Sequence, residues 1–260
     1  MEQIIWEEAR KYLLSFNDIT DDDIDQHITQ YKSDIPSSMN DVFRGLLGSL
    51  TNRQGVVNWI GDLSKLERFY YGYDPRAVVK NYSGWKDLFR TIEGSDYEPP
   101  SHMDINDKRN IWVHYCKGVM SGARFLSTFD SMAEFDNAIQ NHIKKDRHID
   151  LAHKISKRVH GYGFALSCDF LKGLGYTDFV KPDVHIIDIF NGIGLSRSRK
   201  DEDVFRDVVN FSRSIGEVPY AVDKMFWLIG SGNFYLTKKK IGKNKDRFCK
   251  MIRERLSEVK

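Results

Sequence analysis

The 260-residue sequence is poor in cysteine and proline, with three and six residues respectively. Cys116, Cys168 and Cys249 lie far apart and cannot all pair, which excludes a disulfide scaffold and a cysteine-ligated metal cluster. No run of about 20 apolar residues is present, so no transmembrane helix is expected. The opening residues MEQIIWEEARKYLLSF mix apolar and charged side chains, unlike a secretory signal. We therefore expect an intracellular protein that is not secreted and does not associate with a membrane.

An excess of charge of one sign is also missing, since 39 basic and 37 acidic residues give a net charge of +2. Overall charge therefore provides no strong attraction to nucleic acid, and a nucleic-acid-binding face would have to arise from local arrangement. Basic residues do concentrate between Lys238 and Arg247, close to Phe234 and Tyr235. This segment fits phosphate contacts and a solvated basic loop equally well.

Alternation with a period of two is absent over any long run, whereas apolar residues recur at helical spacing nearly everywhere. Thr20 with Asp23, and Asp74 before Pro75, are typical helix starts. The pattern predicts a mostly or entirely helical, all-α fold. Two apolar stripes, over 5–16 and 42–50, each indicate a helix. Further helices are predicted over 83–93, 108–126, 131–145, 148–159, 164–174, 201–214, 219–230 and 244–258.

The most informative segment has the glycine spacing of a tight hairpin between two helices. It reads VHGYGFALS over 159–167, with Gly161 and Gly163 flanking Tyr162. Glycine permits backbone geometry that is closed to other residues. The amides that begin the following helix could then approach an anion such as a DNA phosphate. Alone, the pattern fits an ordinary helix cap and turn as well.

A second segment, KPDVHI over 181–186, follows this hairpin. Together the two segments resemble the helix-hairpin-helix superfamily of DNA glycosylases, which includes endonuclease III, adenine glycosylase and 8-oxoguanine glycosylase. The resemblance covers about residues 155–195, with a fainter match near 40–60, and implies that Asp183 is the catalytic carboxylate. A carboxylate can stabilise the positive charge that develops on the sugar when an N-glycosidic bond breaks. Without the resemblance, Asp183 would be interpreted as a helix N-cap.

Bifunctional members of this superfamily carry a nucleophilic lysine two residues after the second glycine of the hairpin. Ala165 occupies that position here, and Asp183 follows it by 18 residues, as in endonuclease III. Alanine cannot attack the sugar, so the resemblance implies a monofunctional glycosylase without lyase activity.

The resemblance also implies several DNA-binding residues, the hairpin residues Gly161, Tyr162 and Gly163 among them. Asn52, Arg53 and Gln54 follow a helix that in the family ends in a wedge entering the duplex during base flipping. His185 matches a position near the target phosphate, while Asp169 is placed to reach the base pocket. Each has a structural alternative: a polar helix end for the wedge, a capping or packing role for His185, and a surface ion pair for Asp169.

Four clustered cysteines that hold an iron–sulfur centre in some relatives are missing, because Cys249 is the only cysteine after the catalytic segment. No iron–sulfur cluster and no other required cofactor are therefore expected. The resemblance does imply a structural K⁺ or Na⁺ ion at the hairpin, held by the backbone carbonyls of Lys157, Val159 and Tyr162.

These observations predict two helical domains with a helix-hairpin-helix motif (159–175) and a cleft between the domains. The expected domains are a barrel-like domain over 37–158 and a second domain formed by 1–36 and 159–260. The predicted function is that of a monomeric glycosylase that flips a damaged or modified base out of double-stranded DNA for base-excision repair, in the cytoplasm with the nucleoid or in the nucleus. Two alternatives stay open: a non-catalytic DNA-binding or lesion-sensing protein, and a hydrolase of free modified nucleosides or nucleotides.

Overall fold

The computed structural model describes residues 1–32, 35–52 and 56–258. This part of the chain is mainly helical, as predicted, and the strands found in it form one two-stranded antiparallel sheet. None of the described helices is both long enough and apolar enough to cross a bilayer. Contacts divide the chain into two compact units. We call Pro36–Leu174 the continuous unit, and Met1–Ile35 together with Gly175–Lys260 the segmented unit.

The segmented unit combines the two ends of the chain. Its core forms around α13, which packs against α2, α11, α12 and α14. Phe190, Phe211 and Phe226 meet there edge to face, which is a favourable arrangement of aromatic rings. The elements are α1 (Glu2–Leu14), α2 (Asp21–Ile28), a 3₁₀ turn (Gln30–Lys32), α11 (Val184–Gly192), α12 (Asp201–Ile215), α13 (Pro219–Ser231), β1 (Asn233–Phe234), β2 (Lys239–Lys240) and α14 (Lys245–Glu258).

The continuous unit packs around α7, whose small residues allow α3 to approach closely. A Cβ atom on Gly118 would lie 2.9 Å from Leu50 Cδ1, and one on Gly122 would lie 2.6 Å from Leu46 Cδ2. The elements are α3 (Met39–Thr51), α4 (Val56–Ile60), a 3₁₀ helix (Leu63–Tyr70), α5 (Pro75–Asn81), α6 (Trp85–Glu93), α7 (Ile111–Leu126), α8 (Met132–Ile143), α9 (His148–Arg158) and α10 (Phe164–Gly173).

Local side-chain chemistry explains where several helices begin. The Thr20 hydroxyl accepts a hydrogen bond from the Asp23 amide, and the Asp23 carboxylate accepts one from the Thr20 amide. This reciprocal pair is a capping box, as the sequence predicts. Asp74 caps α5, which has Pro75 in its first turn, and this also agrees with the sequence prediction.

The boundary between the units falls after the predicted hairpin. The sequence predicts domains of 37–158 and 1–36 plus 159–260, whereas the compact units divide at Ile35/Pro36 and Leu174/Gly175. Segment 159–174 belongs to the continuous unit by its contacts, because α10 packs on α3 and α9. The hairpin and Asp183 consequently lie in different units.

Candidate nucleic-acid interface and candidate active site

The predicted hairpin is a tight turn between α9 and α10. Val159 ends α9, and its carbonyl accepts a hydrogen bond of 3.2 Å from the Tyr162 amide. Gly161 has a φ of +87°, a conformation that side-chain-bearing residues rarely adopt. The turn therefore requires glycine at position 161.

Gly163 has no such requirement, which corrects the expectation that both glycines are needed for the backbone. Its φ of −108° and ψ of −175° are those of extended backbone, and a Cβ atom there would meet nothing within 4 Å. Gly163 is the N-cap residue of α10, where no side chain caps the helix. First-turn amides lack intrahelical acceptors, so this helix start has the donors that an anion needs.

The Tyr162 side chain faces the protein interior. It is 8% exposed, and its hydroxyl donates a hydrogen bond of 2.9 Å to the Leu46 carbonyl. Burial holds the pKa of this phenol well above its usual value. The phenol ring is thus part of the core, and only the backbone of Tyr162 remains available for the predicted DNA contact.

His160 ties the turn to α7. Its amide donates to Ser121 Oγ at 2.8 Å, and its Nε2 lies 3.1 Å from Nδ1 of His114. The two rings are parallel, with an interplanar angle of 5° and centres 5.4 Å apart. These contacts fix the turn. No local pattern in the sequence marks His114, because its partner lies 46 residues away.

The backbone carbonyls proposed to hold an alkali ion belong to this same turn. Carbonyl oxygens have two lone pairs, so the Val159 oxygen can accept the Tyr162 amide and still bind a cation. The turn is thus chemically compatible with an alkali ion held by Lys157, Val159 and Tyr162, which stays a prediction. Among the described residues, no group of three or more His, Cys, Asp or Glu side chains could hold a metal ion.

The structure brings together two residues that the sequence singled out separately. Asn52 ends α3, and its Nδ2 donates a hydrogen bond of 2.9 Å to Asp169 Oδ2 on α10. Asp169 is only 9% exposed, so it does not lie on the protein surface. Arg53 and Gln54, the other two predicted wedge residues, lie outside the described residues.

Asp183 is held by a short turn and by the helix that follows it. Its amide donates to the Lys181 carbonyl at 2.7 Å, across the buried Pro182. Its Oδ1 atom accepts the amides of His185 at 2.9 Å and Ile186 at 3.2 Å, which makes Asp183 the N-cap of α11. Oδ2 has no hydrogen-bond partner among the described residues. The carboxylate is thus fixed through one oxygen, while the other is available for chemistry.

The His185 ring lies against α13, beside Gly230 and Trp227. The centres of the His185 and Trp227 rings are 6.5 Å apart, and the ring planes are nearly perpendicular at 86°. The sequence pattern marks His185 but not these two neighbours. They lie more than 40 residues further along the chain and were assigned only to a predicted helix.

The basic segment is partly neutralised within the segmented unit. Lys239 forms an ion pair of 2.7 Å with the buried Asp23, and Lys245 pairs with Asp188. Lys238, Lys240 and Lys243 are exposed. The lysines available to a phosphate backbone are thus fewer than the sequence suggests.

The comparisons with known proteins give no identification. No family model matches this sequence. No curated protein and no solved structure matches it either.

Proposed function

We propose that this protein is a monofunctional DNA N-glycosylase that hydrolyses the N-glycosidic bond of a damaged or modified base flipped out of duplex DNA. The observation that carries the proposal is the hydrogen bonding of the two carboxylate oxygens of Asp183. Its position in the sequence resembles that of the catalytic aspartate of helix-hairpin-helix glycosylases, and one of its oxygens is committed to capping while the other is uncommitted. Because an N-cap needs only the first oxygen, Asp183 can cap α11 and take part in the chemistry at the same time.

The proposed reaction needs one carboxylate and one water molecule. As the C1′–N bond breaks, its electron pair leaves with the base and positive charge builds on the sugar. The Asp183 carboxylate stabilises this charge, and the water oxygen forms the new bond to C1′. The proton of that water passes to Oδ2 of Asp183. Ala165 provides no amine, so water is the nucleophile and no covalent intermediate forms.

Duplex binding is assigned to the hairpin and to His185. The uncapped start of α10 provides backbone donors for a phosphate, an interaction that carries no information about base sequence. Asn52 is proposed to contribute to the wedge, and the Asn52–Asp169 hydrogen bond would fix the wedge relative to α10. In this proposal the protein acts as a monomer and needs no redox or iron–sulfur cofactor.

The test is release of a base from a panel of duplexes that carry uracil, alkylated, deaminated and oxidised bases, with alkali added to reveal abasic sites. We expect Asp183→Asn to abolish excision while duplex affinity is retained, since the amide oxygen can still cap α11 but carries no charge. Asp74→Asn is the matched control. Asp74 caps α5 through amides at 2.9 and 3.1 Å, nearly the same geometry, without any proposed role in chemistry.

Other outcomes would identify the alternatives. Duplex binding without excision of any base on the panel would indicate a non-catalytic DNA-binding or lesion-sensing protein. Release of the base from free modified nucleosides, unaffected by competing unmodified duplex, would indicate a nucleoside hydrolase. Full excision activity in Asp183→Asn would refute the assignment of the catalytic residue.

A further inference from the structure

The two nitrogens of the His185 ring have different surroundings. Nδ1 is buried and has no hydrogen-bond partner among the described residues. Nε2 also has no hydrogen-bond partner among the described residues, but unlike Nδ1 it is not buried. The Asp183 carboxylate accepts the backbone amide of His185, and no hydrogen bond from it to the ring is found among the described residues. The ring therefore presents Nε2 alone to solvent or to a ligand.

Gly230 is the reason that Nδ1 is buried. A Cβ atom on Gly230 would lie 2.7 Å from His185 Cβ and 3.0 Å from both Cγ and Nδ1. The imidazole thus lies directly on the backbone of α13, with Trp227 one helical turn before Gly230 as a second neighbour. Any side chain at position 230 would displace the ring.

Burial of one nitrogen without a partner determines where a neutral imidazole keeps its proton. A proton on Nδ1 would be a buried N–H group without an acceptor, an arrangement that is rare and costs free energy. A proton on Nε2 can be hydrogen-bonded by water or by a ligand. The Nε2–H tautomer is therefore favoured, and in it the accessible nitrogen is a donor.

We infer that Gly230 and Trp227 hold His185 as the neutral Nε2–H tautomer, and that this N–H donates an uncharged hydrogen bond to a phosphate oxygen of the DNA. The identity of the ligand rests on the proposed function, whereas the tautomer does not. Phosphate oxygens only accept hydrogen bonds, so the opposite tautomer would not bind them through Nε2. Because the donor is uncharged, this contact releases no counterion, unlike a lysine–phosphate contact.

The tautomer is measured on the protein without DNA, by long-range ¹H–¹⁵N NMR of the histidine rings near neutral pH. His185→Gln assigns the signals of His185 by their loss. We expect a protonated Nε2 and an unprotonated Nδ1. A protonated Nδ1 would overturn the inference. This measurement is independent of the glycosylase proposal, and its result would stand even if no duplex binds.

Gly230→Ala tests the positioning role of glycine. We expect it to alter the His185 ring signals and to weaken duplex binding about three- to tenfold, the range for one net hydrogen bond. Gly173→Ala is the control, because Gly173 is also at the end of a helix and a Cβ atom there meets nothing within 4 Å. Unchanged His185 signals and unchanged affinity in a folded Gly230→Ala variant would contradict the role.

The salt dependence of binding tests whether the contact is charged. We expect His185→Ala to weaken binding without changing the slope of log K against log [salt], and His185→Gln, which keeps a neutral donor, to restore most of the affinity. His185→Lys should steepen the slope by about 0.9, the value for one added phosphate charge contact. A slope that becomes shallower by a similar amount in His185→Ala would show a charged contact and overturn the inference. If no variant, including wild type, binds duplex DNA, the proposed function fails instead.

Discussion

The two glycines of the hairpin have different reasons to be glycine, and substitution separates them. Gly161→Ala forces a side chain into a positive-φ conformation, so we expect a loss of about 1–2 kcal/mol in the free energy of unfolding. Gly163→Ala should cost less, because its backbone is extended and the space around it is open, so that only the poorer N-cap preference of alanine acts. Urea denaturation of both variants measures the difference. Equal losses would contradict the conformational argument.

Binding by the same pair of variants tests the phosphate site. Since the protein itself leaves room for a methyl group at position 163, weaker duplex binding by a stable Gly163→Ala variant would mean that the ligand approaches this backbone closely. We expect the same loss of affinity for all duplexes, because a phosphate clamp carries no base information. Fluorescence anisotropy with several unrelated duplexes measures it. A loss for only one lesion would argue against a general clamp.

Tyr162 is a core residue that stands inside a binding motif. Tyr162→Phe removes the hydroxyl that donates to the Leu46 carbonyl, and we expect a loss of about 1 kcal/mol in stability. Duplex affinity should not change, because the ring is buried and only the backbone faces a ligand. Denaturation and anisotropy on the same preparation separate these effects. An affinity loss without a stability loss would indicate a side-chain contact with DNA.

Local sequence patterns mark single residues but do not encode their surroundings. The N-cap role of Asp183 follows from the residue types that precede α11. The Asn52–Asp169 hydrogen bond and the ring contact between His185 and Gly230 join residues far apart in sequence, and no local pattern encodes such pairs. For the Tyr162 ring the sequence left two positions open, the DNA side of the hairpin and a satellite core, and the structure buries the ring, with its hydroxyl bonded to Leu46 of α3.

At the scale of elements, most helix limits were predictable because amphipathic spacing and caps are local properties. The predicted 219–230 and the observed Pro219–Ser231 differ by one residue. The two strands were missed because each has only two residues, too few for a period-two pattern. Their hairpin is held by long-range contacts with α2, which a single sequence does not reveal.

His27 is the centre of that contact and makes it sensitive to pH. The ring is fully buried, with Nδ1 at 2.6 Å from the Asp23 carbonyl and Nε2 accepting the Leu236 amide at 3.2 Å. A carbonyl only accepts, so Nδ1 carries the proton and Nε2 must stay unprotonated. Burial lowers the pKa of His27 below its ordinary 6.5, although the hydrogen bond to the Asp23 carbonyl opposes this shift and the Lys224 charge adds to it.

The sign of the pH effect follows from that shift. The unfolded chain binds the proton of His27 more readily than the folded protein does, so its stabilising contribution is complete above pH 6.5. It is lost as pH falls through the lower pKa of the folded state. We expect the free energy of unfolding to fall less steeply between pH 7 and 5 in His27→Gln than in wild type, although His27→Gln is less stable at pH 7. Parallel curves in urea denaturation would contradict this.

Asp23 acts in a different pH range, which keeps the two effects separate. Burial alone would raise the pKa of Asp23, but hydrogen bonds from Lys239 and Thr20 outweigh burial and hold it well below 3.8. Its contribution is therefore present above pH 3.8 and is lost only at lower pH. The ion pair with Lys239 thus persists throughout the range in which His27 titrates.

For the whole molecule, the sequence predicted a second domain formed by 1–36 and 159–260, whereas the contacts group Met1–Ile35 with Gly175–Lys260. It did not predict that the hairpin groups with the continuous unit. The hairpin glycines mark a turn, but the partners of a turn depend on which helices pack beside it. Here α10 lies on α3 and α9, and these packing partners are set by tertiary contacts.

At the scale of the whole protein, the prediction concerns the DNA product of the proposed reaction. A lyase-competent glycosylase needs an amine that attacks C1′ and forms an imine, and borohydride reduction traps this imine as a covalent protein–DNA adduct. Ala165 occupies the position of that amine in the resemblance. Lys157 and Lys172 flank the hairpin, but neither stands at the matching position, and Lys172 is 7% exposed.

We therefore expect abasic strands that are cleaved only after added alkali, and no adduct on reduction. Ala165→Lys provides the comparison, because Ala165 is half-buried at the first turn of α10 and a lysine there would restore the amine of the bifunctional relatives. Denaturing gel electrophoresis of the reduced mixtures reads out the adduct. Efficient trapping by the wild-type protein, mapped to any lysine, would overturn the monofunctional assignment and leave the role of Asp183 to be judged by Asp183→Asn alone.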